Sequence, residues 1–121
     1  MKLYIMRHGP AEEHSASGRD ADRALTASGR ERVRGVARLL VDADESPLVI
    51  LSSPLVRALQ TAEIVAAATK LTERGGAVET RREIEPGREI LALLRELAAA
   101  PRKRVMLVGH EPDLSNPLFS Q

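Results

Sequence analysis

Short apolar runs alternate with longer segments of helical periodicity along the 121 residues of the chain. Short runs bounded by turn-forming residues are typical of buried strands, whereas apolar residues repeated at helical spacing are typical of amphipathic helices. This alternation predicts an α/β fold, with a mainly parallel sheet and helices on both of its faces. The predicted strands lie at residues 3–6, 48–51, 77–80 and 105–108, and the predicted helices at 27–41, from 54 onward, and between 87 and 101.

Capping residues mark where the predicted helices begin. Thr26 or Ser28 can cap the first helix, and Ser28 would form a capping box with Glu31. Ser53 before Pro54 predicts the start of the second helix, with Ser53 as its N-cap. The residues predicted to face the core are Val33, Val36, Ala37 and Leu40 in the first helix, and Leu55, Leu59, Ala62 and Val65 in the second.

Charged and imidazole side chains recur where successive predicted strands end. Because right-handed crossovers bring the carboxyl ends of parallel strands to one edge of the sheet, we expect these side chains to converge. A guanidinium donates two parallel hydrogen bonds to a phosphate, and an imidazole can act as a nucleophile, a base or a metal ligand. The strand-end groups are Arg7 and His8 before Gly9, Arg57 in the second helix, Glu83 and Glu85 after the third strand, and His110 after the fourth.

The composition excludes several classes of protein. The chain has no cysteine, so it has neither a thiolate nucleophile nor a disulfide framework. Its apolar runs are too short to span a bilayer, and its N-terminus lacks the apolar core of a signal peptide. With a net charge of +1 and 2% aromatic residues, it lacks the basic, stacking surface of a nucleic-acid binder. We therefore expect a cytoplasmic protein that binds neither membranes nor nucleic acids.

The segment of residues 10–25 is polar and has no apolar periodicity. It predicts a mobile loop beside the ligand crevice. His14 lies within it and is expected to be exposed and without a role.

Four short motifs follow one another along nearly the whole chain. They are Arg7-His8-Gly9, Leu25-Thr26-x-x-Gly29, Ser53-Pro54-x-x-Arg57-Ala58-x-Gln60-Thr61-Ala62, and Gly109-His110-x-Pro112. In type and order they resemble the histidine phosphatase superfamily, also called phosphoglycerate-mutase-like. Glu85-Pro86-Gly87 leads straight into a helix with only a short insert, which is most similar to the small SixA-type phosphohistidine phosphatases.

The resemblance implies a role for each strand-end group. His8 would be the nucleophile that becomes phosphorylated. Arg7 and Arg57, with Gly9, would bind the phosphoryl group, and His110 would complete the pocket.

The same residues support this chemistry on physical grounds. A neutral His8 can attack phosphorus while Arg7, Arg57 and a protonated His110 neutralise charge on the phosphoryl oxygens. The surrounding cations should keep His8 deprotonated, and they make a metal or cofactor unnecessary. A zinc site of His8, His110 and Asp113 is the alternative, but the neighbouring guanidiniums would repel the cation.

The leaving group decides whether a general acid is needed. An alkoxide must receive a proton, and Glu83 is the first candidate to supply it, with Glu85 as the second. A phosphohistidine is a better leaving group and needs little acid help.

We therefore expect a phosphatase that acts through a phosphohistidine enzyme intermediate, with phosphohistidine on a protein as its substrate. One alternative is a small-molecule phosphomonoesterase of the same superfamily. The other is an inactive phosphate-binding or dimerising module.

The end of the chain departs from the family's pattern. Members continue after the second histidine with a helix and further strands, whereas here residues 114–121 end the chain and include Pro117. We expect one histidine-phosphatase domain over residues 1–121 that is short at its C-terminus. The resulting uncovered sheet edge predicts a homodimer and puts the activity of this chain in question.

Overall fold

A computed structural model describes residues 2–110 of the chain. It contains a four-stranded sheet and three α-helices, and each of these elements matches a predicted one. The strands are β1 (Leu3–Arg7), β2 (Val49–Ser52), β3 (Ala77–Thr80) and β4 (Val105–Gly109), and the helices are α1 (Ala27–Asp42), α2 (Val56–Ala68) and α3 (Leu91–Ala99). None of the helices within residues 2–110 combines the length and apolarity that crossing a membrane requires.

The strands pair in the order β1-β4-β2-β3, and every pair is parallel. The last described strand therefore lies between the first and the second. Arg7 is the register partner of Gly109, so the residues that follow β1 and β4 leave the sheet side by side. The expected α/β fold with a parallel sheet is confirmed.

Apolar residues on the two faces of the sheet form two separate cores. One core lies between the sheet and the pair α1 and α2, and the other lies between the sheet and α3. Neighbouring residues of β4 alternate between them, because successive side chains in a strand point to opposite faces. Met106 and Val108 join the first core, and Val105 and Leu107 join the second. Helices therefore lie on both faces, as predicted.

One apolar residue of α1 is not where the periodicity predicts it. Val33 and Ala37 are buried, but Val36 is 40% exposed and lines a surface groove with Met6 of β1. Leu3 and Ile5 of β1 are 37% and 38% exposed, and neither joins the core on the α3 face that contains their register partners Val105 and Leu107. The prediction of a buried Val36 is therefore wrong.

The helix caps follow the sequence in one case and depart from it in the other. Thr26 is the N-cap of α1, and its hydroxyl accepts a hydrogen bond from the amide of Gly29 at 2.9 Å. The prediction of Ser53 as the N-cap of α2 is wrong, because α2 begins at Val56 and Leu55 holds the N-cap position. The Ser53 hydroxyl instead contacts His110.

Candidate active site

Two histidines stand side by side at the carboxyl ends of β1 and β4. His8 follows Arg7 and His110 follows Gly109, and the amide of His8 donates to the carbonyl of Gly109 at 3.0 Å. The two imidazole ring centroids are 5.0 Å apart, with the ring planes inclined at 55°. Residues that are 102 positions apart in the sequence thus share one site, as the parallel-sheet argument predicts.

His8 is held in one tautomer. Its Nδ1 lies 2.7 Å from the carbonyl oxygen of Gly9, and because a carbonyl only accepts, Nδ1 carries the proton. The lone pair is therefore on Nε2. Burial, followed by the charges of Arg57, Arg7 and Arg23, lowers the pKa of His8. The predicted neutral His8 is supported, although burial contributes more than the charges do.

His110 is the more deeply buried of the two histidines, with 2% of its surface exposed. Its Nε2 lies 2.7 Å from the hydroxyl oxygen of Ser53, which also accepts the amide of Leu55 at 3.3 Å. Within the part of the chain that the structure describes, Nδ1 of His110 has no hydrogen-bond partner. With Ser53 donating to Nε2, the Nδ1–H group becomes a spare donor for an anion.

Burial and the charge of Arg57 lower the pKa of His110 to about 4. His110 is therefore neutral in the free protein at pH 7. The expected protonated His110 belongs to the phosphoryl-bound pocket and stays a prediction, because desolvation and the charge of Arg57 favour the neutral imidazole in the free protein.

This pKa predicts an acid-induced loss of stability. The unfolded chain takes up a proton on His110 near pH 6.5, whereas the folded chain does so only near pH 4, so stability falls as the pH drops through this window. Protonation of His110 alone should lower the free energy of unfolding by about 3 kcal/mol. Urea unfolding at neutral and acidic pH measures it, with His110→Gln as the control that lacks the titrating group. Equal losses in the two proteins would contradict the prediction.

Arg57 is a buried arginine in the first turn of α2, with 5% of its surface exposed. Its Nη1 donates to the main-chain carbonyl of Asp20 at 2.9 Å, and its Nη2 donates to the Asp20 carboxylate at 3.2 Å. Its Nε has no partner among residues 2–110. The charge of Arg57 lowers the pKa of both His8 and His110, so the guanidinium lies within electrostatic range of both rings.

Two further arginines contribute positive charge. Arg7 is exposed, and its charge lowers the pKa of His8, as expected for a neighbouring cation. Arg23 has the same effect on His8, although the sequence analysis assigned it no role. No motif or periodicity marks Arg23, because it lies in the polar segment of residues 10–25.

The segment of residues 10–25 contains several hydrogen bonds of its own. Its two ends are joined by a bridge between Ala11 and Leu25 and by the amide of Glu12 donating to the carbonyl of Ala24 at 2.8 Å. A short 3₁₀ helix, Asp20–Asp22, lies between the ends and contacts α2. His14 is exposed, as predicted.

The remaining motif residues join the segments that form the site. The Thr61 hydroxyl accepts the amide of Gly9 at 3.1 Å and donates to the carbonyl of Arg57 at 2.8 Å. The Gln60 side chain accepts the amide of Leu25 at 2.8 Å. Hydrogen bonds thus join α2 both to the turn that carries His8 and to the end of the polar segment.

Glycine at two motif positions permits close packing beside His8. A Cβ atom on Gly29 would lie 2.2 Å from the carbonyl oxygen of Pro10, and one on Gly9 would lie 2.9 Å from Val33. Real Cβ atoms do not approach other atoms this closely, so either residue could be replaced only by moving α1 away from the His8 turn.

Glu83 lies in the short 3₁₀ helix Arg82–Ile84, after β3. Its carboxylate accepts from Nη2 of Arg81 at 2.7 Å, and this bond lowers its pKa. A lowered pKa favours the ionised form, which cannot donate a proton. Glu85 is the C-cap residue of the same 3₁₀ helix, and no described contact joins either carboxylate to the histidine pair.

A groove of about 430 Å³ opens beside His8. Arg7 and Arg32 supply its charged wall, and Met6 and Val36 supply apolar surface. Residues 2–110 contain no cluster of three or more histidine, cysteine, aspartate or glutamate side chains that could hold a metal ion.

Pro112 of the fourth motif, Asp113 of the zinc alternative and residues 114–121 lie outside the described residues.

Neighbouring imidazoles lie at the carboxyl ends of β1 and β4, and the charge of the buried Arg57 guanidinium in α2 acts on both of them. The family model described as "Histidine phosphatase superfamily (branch 1)" matches residues 3–88. The chain therefore belongs to the histidine phosphatase superfamily and is a phosphatase. His110 lies beyond the matched residues, so its place in the site is given by the structure alone.

Relatives and solved structures agree with this assignment. An uncharacterized protein of Picosynechococcus sp. is 41% identical over 117 residues, which is 94% of this chain and 68% of that protein. A SixA structure from Agrobacterium tumefaciens is 30% identical, with a TM-score of 0.81 over 96% of this chain and 73% of that one. The protein histidine phosphatase SixA complexed with tungstate is also 30% identical, with a TM-score of 0.82 over 93% and 70%.

Proposed function

We propose that the protein hydrolyses phosphohistidine carried by another protein, through a covalent phosphohistidine intermediate on its own His8. The observation that carries the proposal is the state of His8. Its Nδ1 proton is donated to the carbonyl of Gly9 and its pKa is lowered, so Nε2 presents a lone pair at neutral pH. An imidazole in this state can attack phosphorus without first losing a proton.

In the first step, Nε2 of His8 forms a bond to phosphorus while the phosphorus–nitrogen bond of the substrate breaks. The electron pair of that bond goes to the departing imidazole, which takes a proton from solvent. Arg7 and the Nε group of Arg57 donate to the non-bridging oxygens, and His110 donates from Nδ1. These donors stabilise the charge that develops on the phosphoryl group.

In the second step, water attacks the phosphorus of phosphorylated His8. The bond to Nε2 breaks, the electron pair returns to the imidazole, and inorganic phosphate leaves. The hydrogen bond from Nδ1 to Gly9 keeps the same nitrogen free for the next cycle. Dividing the transfer in this way replaces one difficult step with two easier ones.

Three observations favour phosphohistidine over a phosphate ester. Glu83, the first candidate for a general acid, is paired with Arg81 and has a lowered pKa, so it is poorly suited to protonate an alkoxide. One of the SixA structures that resemble this chain is described as a protein histidine phosphatase. The groove beside His8 is open to solvent, which suits a phosphorylated side chain on a protein surface.

Replacing Glu83 with glutamine should leave phosphohistidine hydrolysis within about twofold of the wild type, because this leaving group needs no acid. Arg81 keeps a partner in the variant, since Glu96 accepts from both of its Nη atoms. Glu85→Gln, at the second candidate position, is the matched control. If Glu83 does act as an acid on esters, Glu83→Gln would lower ester hydrolysis by about 10²–10⁴-fold. An equally large loss with phosphohistidine would contradict the leaving-group argument.

The substrate is tested by comparing kcat/KM for a histidine-phosphorylated peptide with the values for a set of phosphate monoesters. A higher value for the peptide supports the proposal. Higher values for an ester would favour the phosphomonoesterase. Tungstate binding without any phosphate release would favour the inactive binding module.

Self-association stays a prediction. The exposed apolar side chains of Leu3 and Ile5 on β1 are the surface that we expect to associate. Light scattering at several protein concentrations would test it, and a monomer at all of them would exclude the homodimer.

A further inference from the structure

We propose that Asp20 is a positioning residue for the phosphoryl-binding arginine. Its carboxylate and its main-chain carbonyl hold the terminal edge of the Arg57 guanidinium, so that the Nε edge is left for the phosphoryl group. The inference rests on the proposed function. It also assigns a task to the segment of residues 10–25, where the sequence analysis predicted only a mobile loop.

The contacts of Arg57 are divided between two edges of its planar guanidinium. Both Nη atoms donate to Asp20, at 2.9 Å to the main-chain carbonyl and at 3.2 Å to the carboxylate. The Nε group is buried and has no acceptor among the described residues. A buried donor without an acceptor costs free energy, so an anion that accepts from Nε would relieve that cost.

The burial of the two partners supports this assignment. The Arg57 side chain is 6% exposed, whereas the Asp20 side chain is 66% exposed. Asp20 thus approaches the guanidinium from the solvent side. Because a guanidinium is a rigid fork, fixing its terminal edge also fixes the plane and direction of the Nε–H bond.

The same carboxylate holds a second arginine. Its other oxygen accepts from Nε of Arg23 at 2.9 Å, and Nη1 of Arg23 donates to the carbonyl of Glu12 at 2.9 Å. The charges of Arg23 and Arg57 both act on His8. One carboxylate therefore sets the separation of two guanidiniums beside the proposed nucleophile.

Positioning and simple electrostatics predict opposite effects when Asp20 is removed. Loss of a negative charge beside a cationic pocket strengthens the long-range attraction for an anion. Loss of the carboxylate leaves the main-chain carbonyl of Asp20 as the one described acceptor on the terminal edge. The guanidinium can then turn about that bond, so that Nε no longer points at the phosphoryl oxygens and binding weakens. The sign of the change in anion affinity separates the two effects.

The test measures tungstate binding by calorimetry, together with kcat and KM for a histidine-phosphorylated peptide. Asp20→Ala should weaken tungstate binding and lower kcat by about tenfold to a hundredfold, the loss expected when a charge-assisted hydrogen bond is misplaced. Asp20→Asn keeps an acceptor oxygen for Nη2 of Arg57, so its tungstate affinity and kcat should lie between those of Asp20→Ala and the wild type. It is the variant to measure if Asp20→Ala does not fold.

Asp22→Asn is the matched control. It removes the same charge from the same 3₁₀ helix, but Asp22 is paired with Arg19 and Ser17 instead of Arg57. It should bind tungstate as the wild type does.

Tighter or unchanged tungstate binding in Asp20→Ala would overturn the inference, as would a wild-type protein that binds no tungstate. The proposed function can fail separately. A wild type that binds tungstate, depends on Asp20 for it, and releases no phosphate from the peptide would refute the proposed turnover but retain the positioning role.

Discussion

Replacing His8 with alanine should abolish the hydrolysis of phosphohistidine and of any phosphate ester, with kcat/KM falling by about 10⁴-fold or more. Both reactions begin with the attack of Nε2 of His8 on phosphorus, so both are lost with this imidazole. Steady-state assays on both substrates measure the loss. Rapid quenching with radiolabelled substrate should trap an acid-labile phosphoenzyme in the wild type and none in the variant.

The chain offers a matched control for this variant in His14. That imidazole is exposed in the segment of residues 10–25, so His14→Ala should retain wild-type turnover and wild-type labelling. Normal turnover by His8→Ala would remove the nucleophile assignment, and with it the covalent mechanism.

Replacing Arg57 with glutamine should lower kcat/KM by about 10²–10³-fold, as the loss of one fixed donor to a developing oxyanion does. Asp20 is left in solvent by this change, so no buried charge is stranded. Arg57→Lys keeps the charge but not the planar fork, and it should recover only part of the loss. Kinetic assays and tungstate binding on the three proteins measure the effect.

Arg34→Gln provides the comparison for Arg57. Arg34 is exposed on α1 and pairs with Glu31, away from both histidines, so its loss should change kcat/KM by less than about twofold. If the kcat/KM of Arg57→Gln equalled that of Arg34→Gln, the buried guanidinium would have no part in catalysis.

The strands themselves and the convergence of the two histidines on one edge of the sheet could be predicted from the sequence, because both depend on simple rules. Apolar runs bounded by turns mark each strand, and right-handed crossovers bring their carboxyl ends to one edge. Once β1 and β4 are neighbours, His8 and His110 must lie side by side. That β1 and β4 are neighbours is a finding of the structure, because the apolar pattern does not specify the order of the strands in the sheet.

The residues that sequence reasoning misplaced depend on partners that are distant in the chain. Ser53 fits an N-cap pattern, yet its hydroxyl lies against His110, which is 57 positions away. Val36 fits the buried stripe of α1, yet it lies beside an edge of β1 with no described neighbour. Asp20 and Arg23 belong to a polar segment without periodicity, so only the contacts of Asp20 with Arg57 and the effect of the Arg23 charge on His8 reveal them.

The central position of β4 has a consequence for the newly made protein. Among the described strands, β1 pairs only with β4, so a growing polypeptide has no strand for its first segment to join until residue 109 has been made. Until then His8 has no His110 beside it, and its amide lacks the Gly109 carbonyl as acceptor. Pairing across such a long separation in sequence is slow, because the intervening chain must be ordered first. The proposed nucleophile is therefore the first part of the site to be synthesised, and it becomes competent only when the last described strand is inserted.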